Sequence, residues 1–230
     1  MLSINHLTKT YPGGKRAVDD LSLTVEPGEI LGFIGHNGAG KTTTLRCVAG
    51  IMEFDAGEVL IDGKSIEKQP VEAKRKMAFL PDNPDIYEFM TGIAYLNFIA
   101  DIYGLSKAQR EERIGKYGQA FELGSYSHGM KQKLALISAF IREPALLILD
   151  EPFVGLDPAA AFTMKQFLKE LCEQGGSVFF STHVLEVAEK LCDKVAIIKN
   201  GVLVNSGTME EVRGDESLES VFLELEDDHV

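Results

Sequence analysis

The residues with the clearest chemical potential are Gly35-His36-Asn37-Gly38-Ala39-Gly40-Lys41-Thr42, which fit the pattern G-x-x-x-x-G-K-[ST]. Glycines at these places let successive backbone N–H groups curl around phosphate oxygens without Cβ clashes. The expected phosphate-binding set is Gly35, Asn37, Gly38, Ala39, Gly40, Lys41, Thr42 and Thr43. Lys41 would reach the β and γ phosphates, and Thr42 would offer a hydroxyl to Mg²⁺. Farther along, the apolar run 146–149 ends in Asp150-Glu151. Two carboxylates closing a buried strand need a counter-charge, because unpaired charge is expensive to bury. Asp150 would help hold Mg²⁺, and Glu151, beyond the strand end, would polarise an attacking water as general base.

Such groups must be held by strands and helices of matching type. The run 31–34 leads into the glycine loop as a buried strand, and an apolar helix over 43–48 leads out, so the unpaired donors and partial positive charge of the helix N-terminus face the phosphates. Ile30–Ile34, Met77–Leu80, 146–149, 178–180 and 194–198 read as strands buried on both faces, alternating with helical stretches. The first thirty or so residues and 57–62 read as antiparallel edge strands. The segment 91–140 reads as an inserted helical unit, with Ser106 and Gln109 at capping-box spacing. Asp157-Pro158 opens a helix whose Met164, Phe167, Leu168 and Leu171 share one face. Leu218, Val221, Phe222 and Leu225 repeat that spacing and predict a short helix that docks its apolar side. The expected fold is α/β: a P-loop NTPase core with a mostly parallel sheet, an antiparallel β-subdomain and an inserted α-helical subdomain.

Bulk properties narrow the partners. An apolar share of 45% with 25% charged residues is ordinary for a globular domain. The net charge of −12 is concentrated in residues 210–230, which carry nine acids and one Arg. The rest is near neutral, which argues against a nucleic-acid groove or direct attraction to an anionic membrane. No stretch approaches the ~18 apolar residues of a membrane span. The N-terminus lacks the build of a signal peptide, so a cytoplasmic location is expected. Cys47, Cys172 and Cys192 match no zinc or disulfide spacing and read as buried free thiols.

Together these motifs resemble the nucleotide-binding domain of the ATP-binding-cassette (ABC) family, from Tyr11 to about Gly207. The resemblance implies an ATPase domain over 1–213, with a helical subdomain at about 86–141 and an acidic helix or tail at 214–230. It implies ATP and Mg²⁺ as ligands. Tyr126-Ser127-His128-Gly129-Met130 stands where the family has Leu-Ser-Gly-Gly-Gln. Ser127 and the amides of His128 and Gly129 would bind the γ-phosphate held by a second copy of the chain. Tyr11 would stack on adenine, Asp157 would belong to the loop joining the two copies, and His183 would contact the γ-phosphate. The string Tyr126 to Gln132 and the short C-terminus look like bacterial exporters, in which a separate membrane permease is the partner and the ATPase lies on the inner face of the membrane. An importer subunit is the nearest alternative. A soluble cassette acting on DNA or the ribosome would need a different charge balance, and a kinase outside the family would lack the signature and His183.

The chain departs from the family pattern at Asp82, which follows Phe79-Leu80-Pro81 where Gln is usual. Its carboxylate suits a hard cation but repels a γ-phosphate when no metal intervenes. Asp82 therefore counts with Glu151 and His183 as a catalytic candidate, and with Thr42 and Asp150 as a metal ligand. His128 keeps the backbone donor of the glycine it replaces, whereas Met130 cannot hydrogen-bond as Gln does. The segment between Phe121 and Ser125 is shorter than in relatives. Asp82→Gln should make ATP binding less dependent on Mg²⁺. Binding titrations with and without a chelator test this, and an unchanged Mg²⁺ dependence counts against it.

Overall fold

The computed structural model describes residues 1–87, 89–121 and 128–227. Along the chain come strands β1 (Leu2–Thr10), β2 (Arg16–Val25) and β3 (Ile30–Ile34), helix α1 (Lys41–Val48), strands β4 (Ala56–Ile61) and β5 (Lys64–Ser65), helix α2 (Pro70–Lys76) and strand β6 (Met77–Leu80). Helices α3 (Gly92–Ile102), α4 (Lys107–Ala120) and α5 (His128–Phe140) follow, then β7 (Leu146–Asp150), α6 (Pro158–Glu173) and β8 (Ser177–Thr182). The chain continues through α7 (Leu185–Leu191), β9 (Lys194–Lys199), β10 (Val202–Thr208), α8 (Met209–Arg213) and α9 (Leu218–Asp227).

The main sheet has the order β10-β9-β3-β8-β7-β6. Its strands are parallel except β10, which lies antiparallel on β9. Strands β3, β7 and β8 are buried at every position, as their unbroken apolar character requires. Side chains alternate along them. Ile30, Leu147, Leu149 and Phe180 enter a core under the helices, whereas Leu31, Phe33, Ile148 and Phe179 enter a second core on the opposite face. That second core is closed by the antiparallel sheet β2-β1-β4-β5 and by α1. The sheet pattern is that of the expected P-loop α/β class.

Helices α3 to α5 pack on the first core. Thr91 caps α3 by accepting from the Ala94 N–H. Ser106 and Gln109 form the anticipated reciprocal box at the start of α4. The rings of Tyr117 and Phe121 stack on Phe140, and Phe167 meets all three edge-on or tilted, which fastens α4 and α5 to α6. Helix α9 is not a solvated tail. Leu218 and Phe222 are buried in the first core, and the Lys199 ammonium donates to the Leu225 carbonyl at 3.0 Å.

Several local expectations change. The segment near 57–62 is not an edge, because the two residues of β5 pair with β4 and leave β4 inside its sheet. β10 escapes sequence reading because Asn205, Ser206 and Gly207 look like a loop, yet the antiparallel ladder with β9 holds them extended past an irregularity at Leu203/Asn205. Helices α2, α7 and α8, of five to seven residues, are too short to show a full apolar period. Helix α1 starts two residues earlier than expected, at Lys41.

Cys47 and Cys192 are buried as expected, whereas Cys172, near the end of α6, is only half-buried. Burial pushes Cys47 up to about 11 and Cys172 to about 12, and raises Cys192 as well. The Cys192 sulfur also lies 2.7 Å from where a Cβ on Gly32 would stand. All three thiols should stay unmodified by iodoacetamide in the native protein at neutral pH and react after denaturation. Mass spectrometry of both samples reads this, and stoichiometric labelling of native protein would contradict it.

Candidate active site

Parallel register brings the site together. Ile34 at the end of β3 pairs with Thr182 of β8, and Ser181 pairs with Asp150 at the end of β7. The glycine loop, Glu151 and His183 thus all leave the sheet at one edge, where ligands of open α/β sheets collect. Tyr11, Lys15, Thr42, Asp82 and Glu151 line a cavity of ≈ 260 Å³ there, together with loop residues His36 to Lys41 except Ala39.

The loop conformation depends on glycine. Gly40 has φ 112°, and a Cβ there would lie 2.3 Å from the Ala17 carbonyl oxygen. A Cβ on Gly35 would lie 2.5 Å from the Ile198 carbonyl. The Ala39 N–H donates to the His36 carbonyl at 3.1 Å. Lys41 curls back, its ammonium donating to the carbonyls of Gly35 at 2.6 Å and His36 at 3.2 Å. The Tyr11 hydroxyl sits 3.1 Å from Thr43 Oγ1 and 3.6 Å from Met52 Sδ, so the tyrosine forms part of the cavity wall.

The carboxylates of Asp150 and Glu151 meet the last residues of the loop. Asp150 is fully buried. Its Oδ1 accepts from Ser181 Oγ at 2.6 Å and from Thr42 Oγ1 at 3.2 Å. Its Oδ2 is buried without a hydrogen-bond partner. Burial pushes this carboxyl above its usual range. The Ser181 and Thr42 hydroxyls oppose that rise, and the charges of Asp82 and Glu151 add to it. Glu151 holds a left-handed backbone with φ 47°. Its Oε2 is 3.0 Å from His183 Nδ1 and its Oε1 is 3.5 Å from the Lys41 ammonium, an attraction without hydrogen-bond alignment.

This donor set fits Mg²⁺. A buried carboxylate oxygen without a partner, a hydroxyl beside it and a second carboxylate nearby suit a hard cation. Among the described residues, no three His, Cys, Asp or Glu side chains converge to hold a metal alone. That accords with an ion that takes only one or two carboxylates and completes its shell with phosphates and water.

Asp157 lies outside the cavity lining. It caps α6 by accepting from the Ala160 N–H at 2.8 Å and pairs with Lys133 of α5 at 2.8 Å. Those bonds hold its carboxyl below the usual range. His128 and Gly129 open α5, and Ser127 lies outside the described residues.

Sequence reasoning missed Ser181. Its hydroxyl donates to Asp150 while accepting the Glu151 N–H at 3.0 Å, so one side chain holds both acidic residues in place. The only sequence signal was its neighbourhood in Ser181-Thr182-His183, since the contact depends on β7–β8 register. Lys15 in the cavity wall and Lys133 on Asp157 were also overlooked. Ser181→Ala should leave the Glu151 N–H without this partner and destabilise the fold by ~1–3 kcal/mol, with partial recovery in Ser181→Thr. Urea unfolding measures this, and unchanged stability in Ser181→Ala would show that the hydroxyl is dispensable.

Comparison with known proteins gives a concordant result. A family model described as "ABC transporter" matches residues 18–154. The ABC-type transporter ATP-binding protein EcsA of Bacillus subtilis (strain 168) is 37% identical, over 98% of this chain and 96% of its own length. The ABC transporter ATP-binding protein NatA of the same organism is 32% identical, over 97% of each chain. A solved ATP-binding subunit of an ABC transporter superposes with a TM-score of 0.93 at 34% identity, covering 98% of this chain and 99% of that one. A dimeric ATP-binding cassette bound to ADP and phosphate shares the fold, with a TM-score of 0.82 at 23% identity, over 91% of this chain and 99% of its own. With its glycine loop and paired acids at the matching sheet edge, the chain belongs to the ABC transporter family, as an ATP-binding-cassette ATPase.

Proposed function

We propose that this ATPase drives a bacterial-type exporter, working as a homodimer against a separate membrane permease. The observation that carries the ATPase chemistry is the convergence of Lys41, Thr42, Asp82, Asp150, Glu151 and His183 at one sheet edge. The N–H groups of the glycine loop and the N-terminus of α1 would bind the β and γ phosphates. Lys41 would exchange its bonds to the Gly35 and His36 carbonyls for phosphate oxygens. Thr42, Asp82 and Asp150 would hold Mg²⁺, which when bound supplies positive charge beside the phosphate oxygens. Glu151 would accept the proton of the attacking water, with His183 orienting one of its oxygens and contacting the γ-phosphate. Tyr11 would pack against the adenine. Catalysis would then come mainly from positioning and charge stabilisation.

In the dimer, Ser127 and the amides of His128 and Gly129 of one copy would grip the nucleotide of the other, with Asp157 in the loop between them. Closure follows if the terminal phosphate binds the closed state more tightly than the open one. The dimeric cassette of the same fold supports this assembly.

A permease contact is supported by the surface between the main sheet and the helical insert, about 86–141. A cavity of ≈ 490 Å³ lies there, lined by Asp85, Tyr95, Tyr103 and Arg142 among others. Beside it the rings of Tyr87, Phe89 and Phe98 touch one another through Tyr87 and are exposed, an aromatic cluster suited to a protein partner. No helix among the described residues is long and apolar enough to cross a membrane, so a spanning partner would supply that part. The chain would then sit on the cytoplasmic face, with 1–213 as the ATPase domain and 214–230 as an acidic C-terminal segment whose helix docks on it. The export direction rests on the likeness of the string Tyr126 to Gln132 to exporters, and an importer is the alternative.

A tagged Glu151→Gln chain should retain ATP, accumulate closed dimers and release phosphate ~10²-fold or more slowly. Phosphate release and size-exclusion chromatography with ATP read these outcomes, and near-normal turnover would remove Glu151 as base. Isolated from membranes, the same chain should carry an integral membrane protein with it. Ribosomes or DNA in its place would overturn the transport assignment.

A further inference from the structure

The phosphate loop is braced from outside by the C-terminal helix. The Phe222 ring, only 7% exposed, meets the His36 ring edge-on with centroids 4.9 Å apart. His36 is the second residue of the loop, and its carbonyl accepts from both the Ala39 N–H and the Lys41 ammonium. A shift of His36 would therefore move an acceptor that places the phosphate-seeking lysine. Helix α9 is itself fixed at two further points. Leu218 is fully buried in the core under the helices, and the Lys199 ammonium holds the Leu225 carbonyl. Lys199 follows Ile198, whose carbonyl lies against Gly35 and whose side chain lies against Gly40. The loop is thus held between the end of β9 and the inner side of α9.

We propose that Phe222 is a positioning residue for nucleotide binding: through His36 it holds the loop that seats Lys41, making α9 a working part of the site. The proposal rests on the reading that residues 35–42 hold the nucleotide phosphates. The physical requirement is modest. An aromatic edge contact contributes about 0.5–1.5 kcal/mol beyond its burial, which is roughly two- to tenfold in a binding constant. The loop must adopt one conformation to present several N–H groups at once, so loosening it lowers the fraction of chains ready to bind.

The test is the affinity for a fluorescent ADP analogue in the full chain, measured alongside ATP turnover and the melting temperature without nucleotide. Phe222→Ala should weaken binding about two- to tenfold and raise KM for ATP by a similar factor, with kcat nearly unchanged. His36→Ala should weaken binding to the same degree, and the double variant should be no worse than either single one, as expected for two residues acting through one contact. Phe222→Tyr, which keeps the ring, should restore binding. Leu223→Ala, on the exposed side of the same helix at 55% exposure, should bind as the parent does. Parental affinity in Phe222→Ala, or effects that multiply in the double variant, would overturn the brace. If Phe222→Ala does not fold, His36→Ala decides: parental affinity there overturns the proposal as well. Failure of the parent chain to bind the analogue would instead sink the nucleotide assignment of the loop.

Discussion

The alignment of the strand ends in the parallel sheet is the constraint on which the rest depends. β3, β7 and β8 are buried on both faces, so none can slip by one residue without exchanging its two sets of core side chains. Their pairing fixes Ile34 beside Thr182 and Asp150 beside Ser181. Every group that leaves the sheet at that edge inherits the alignment. The glycine loop follows β3, Glu151 follows β7 and His183 follows β8, although they stand far apart in the chain. Apolar packing deep in the sheet thereby sets distances between polar atoms at its rim.

Electrostatics completes the site. Asp150 is carried into the interior because its strand is buried, and there it meets two hydroxyls and the fields of two more acids. Lys41 lies on the other side of Glu151. An arrangement with an unsatisfied carboxylate oxygen and a lysine bonded to its own loop is poised for exchange. A metal ion and phosphate oxygens can replace internal contacts with stronger charge-assisted ones, and little of the surrounding frame has to move. The left-handed backbone of Glu151 is held by the Ser181 hydroxyl, at the edge where the glycine loop and His183 also leave the sheet.

Two attachments link this edge to the rest of the molecule. The helical insert shares a core with the sheet and presents an exposed aromatic cluster next to the loop that carries Asp82. Helix α9 closes over the opposite side of the glycine loop. The first faces outward and suits a partner, whereas the second is satisfied within the chain.

Sequence alone determined the chemistry and the class of the fold. The loop pattern, the acids after a strand and the alternation of buried strands with helices are local properties, since each depends on residues within a few positions of one another. The capping box at Ser106 and the apolar stripe of α9 were legible for the same reason. Only the tertiary structure decided which residues meet. The hold of Ser181 on both Asp150 and Glu151, the pairing of Lys133 with Asp157 and the contact of Phe222 with His36 each join segments separated by many residues. A serine or phenylalanine looks the same in sequence whether it fills a core or steadies a site. Its role is set by strand register and helix docking, which come from packing summed over the whole chain rather than from any local run.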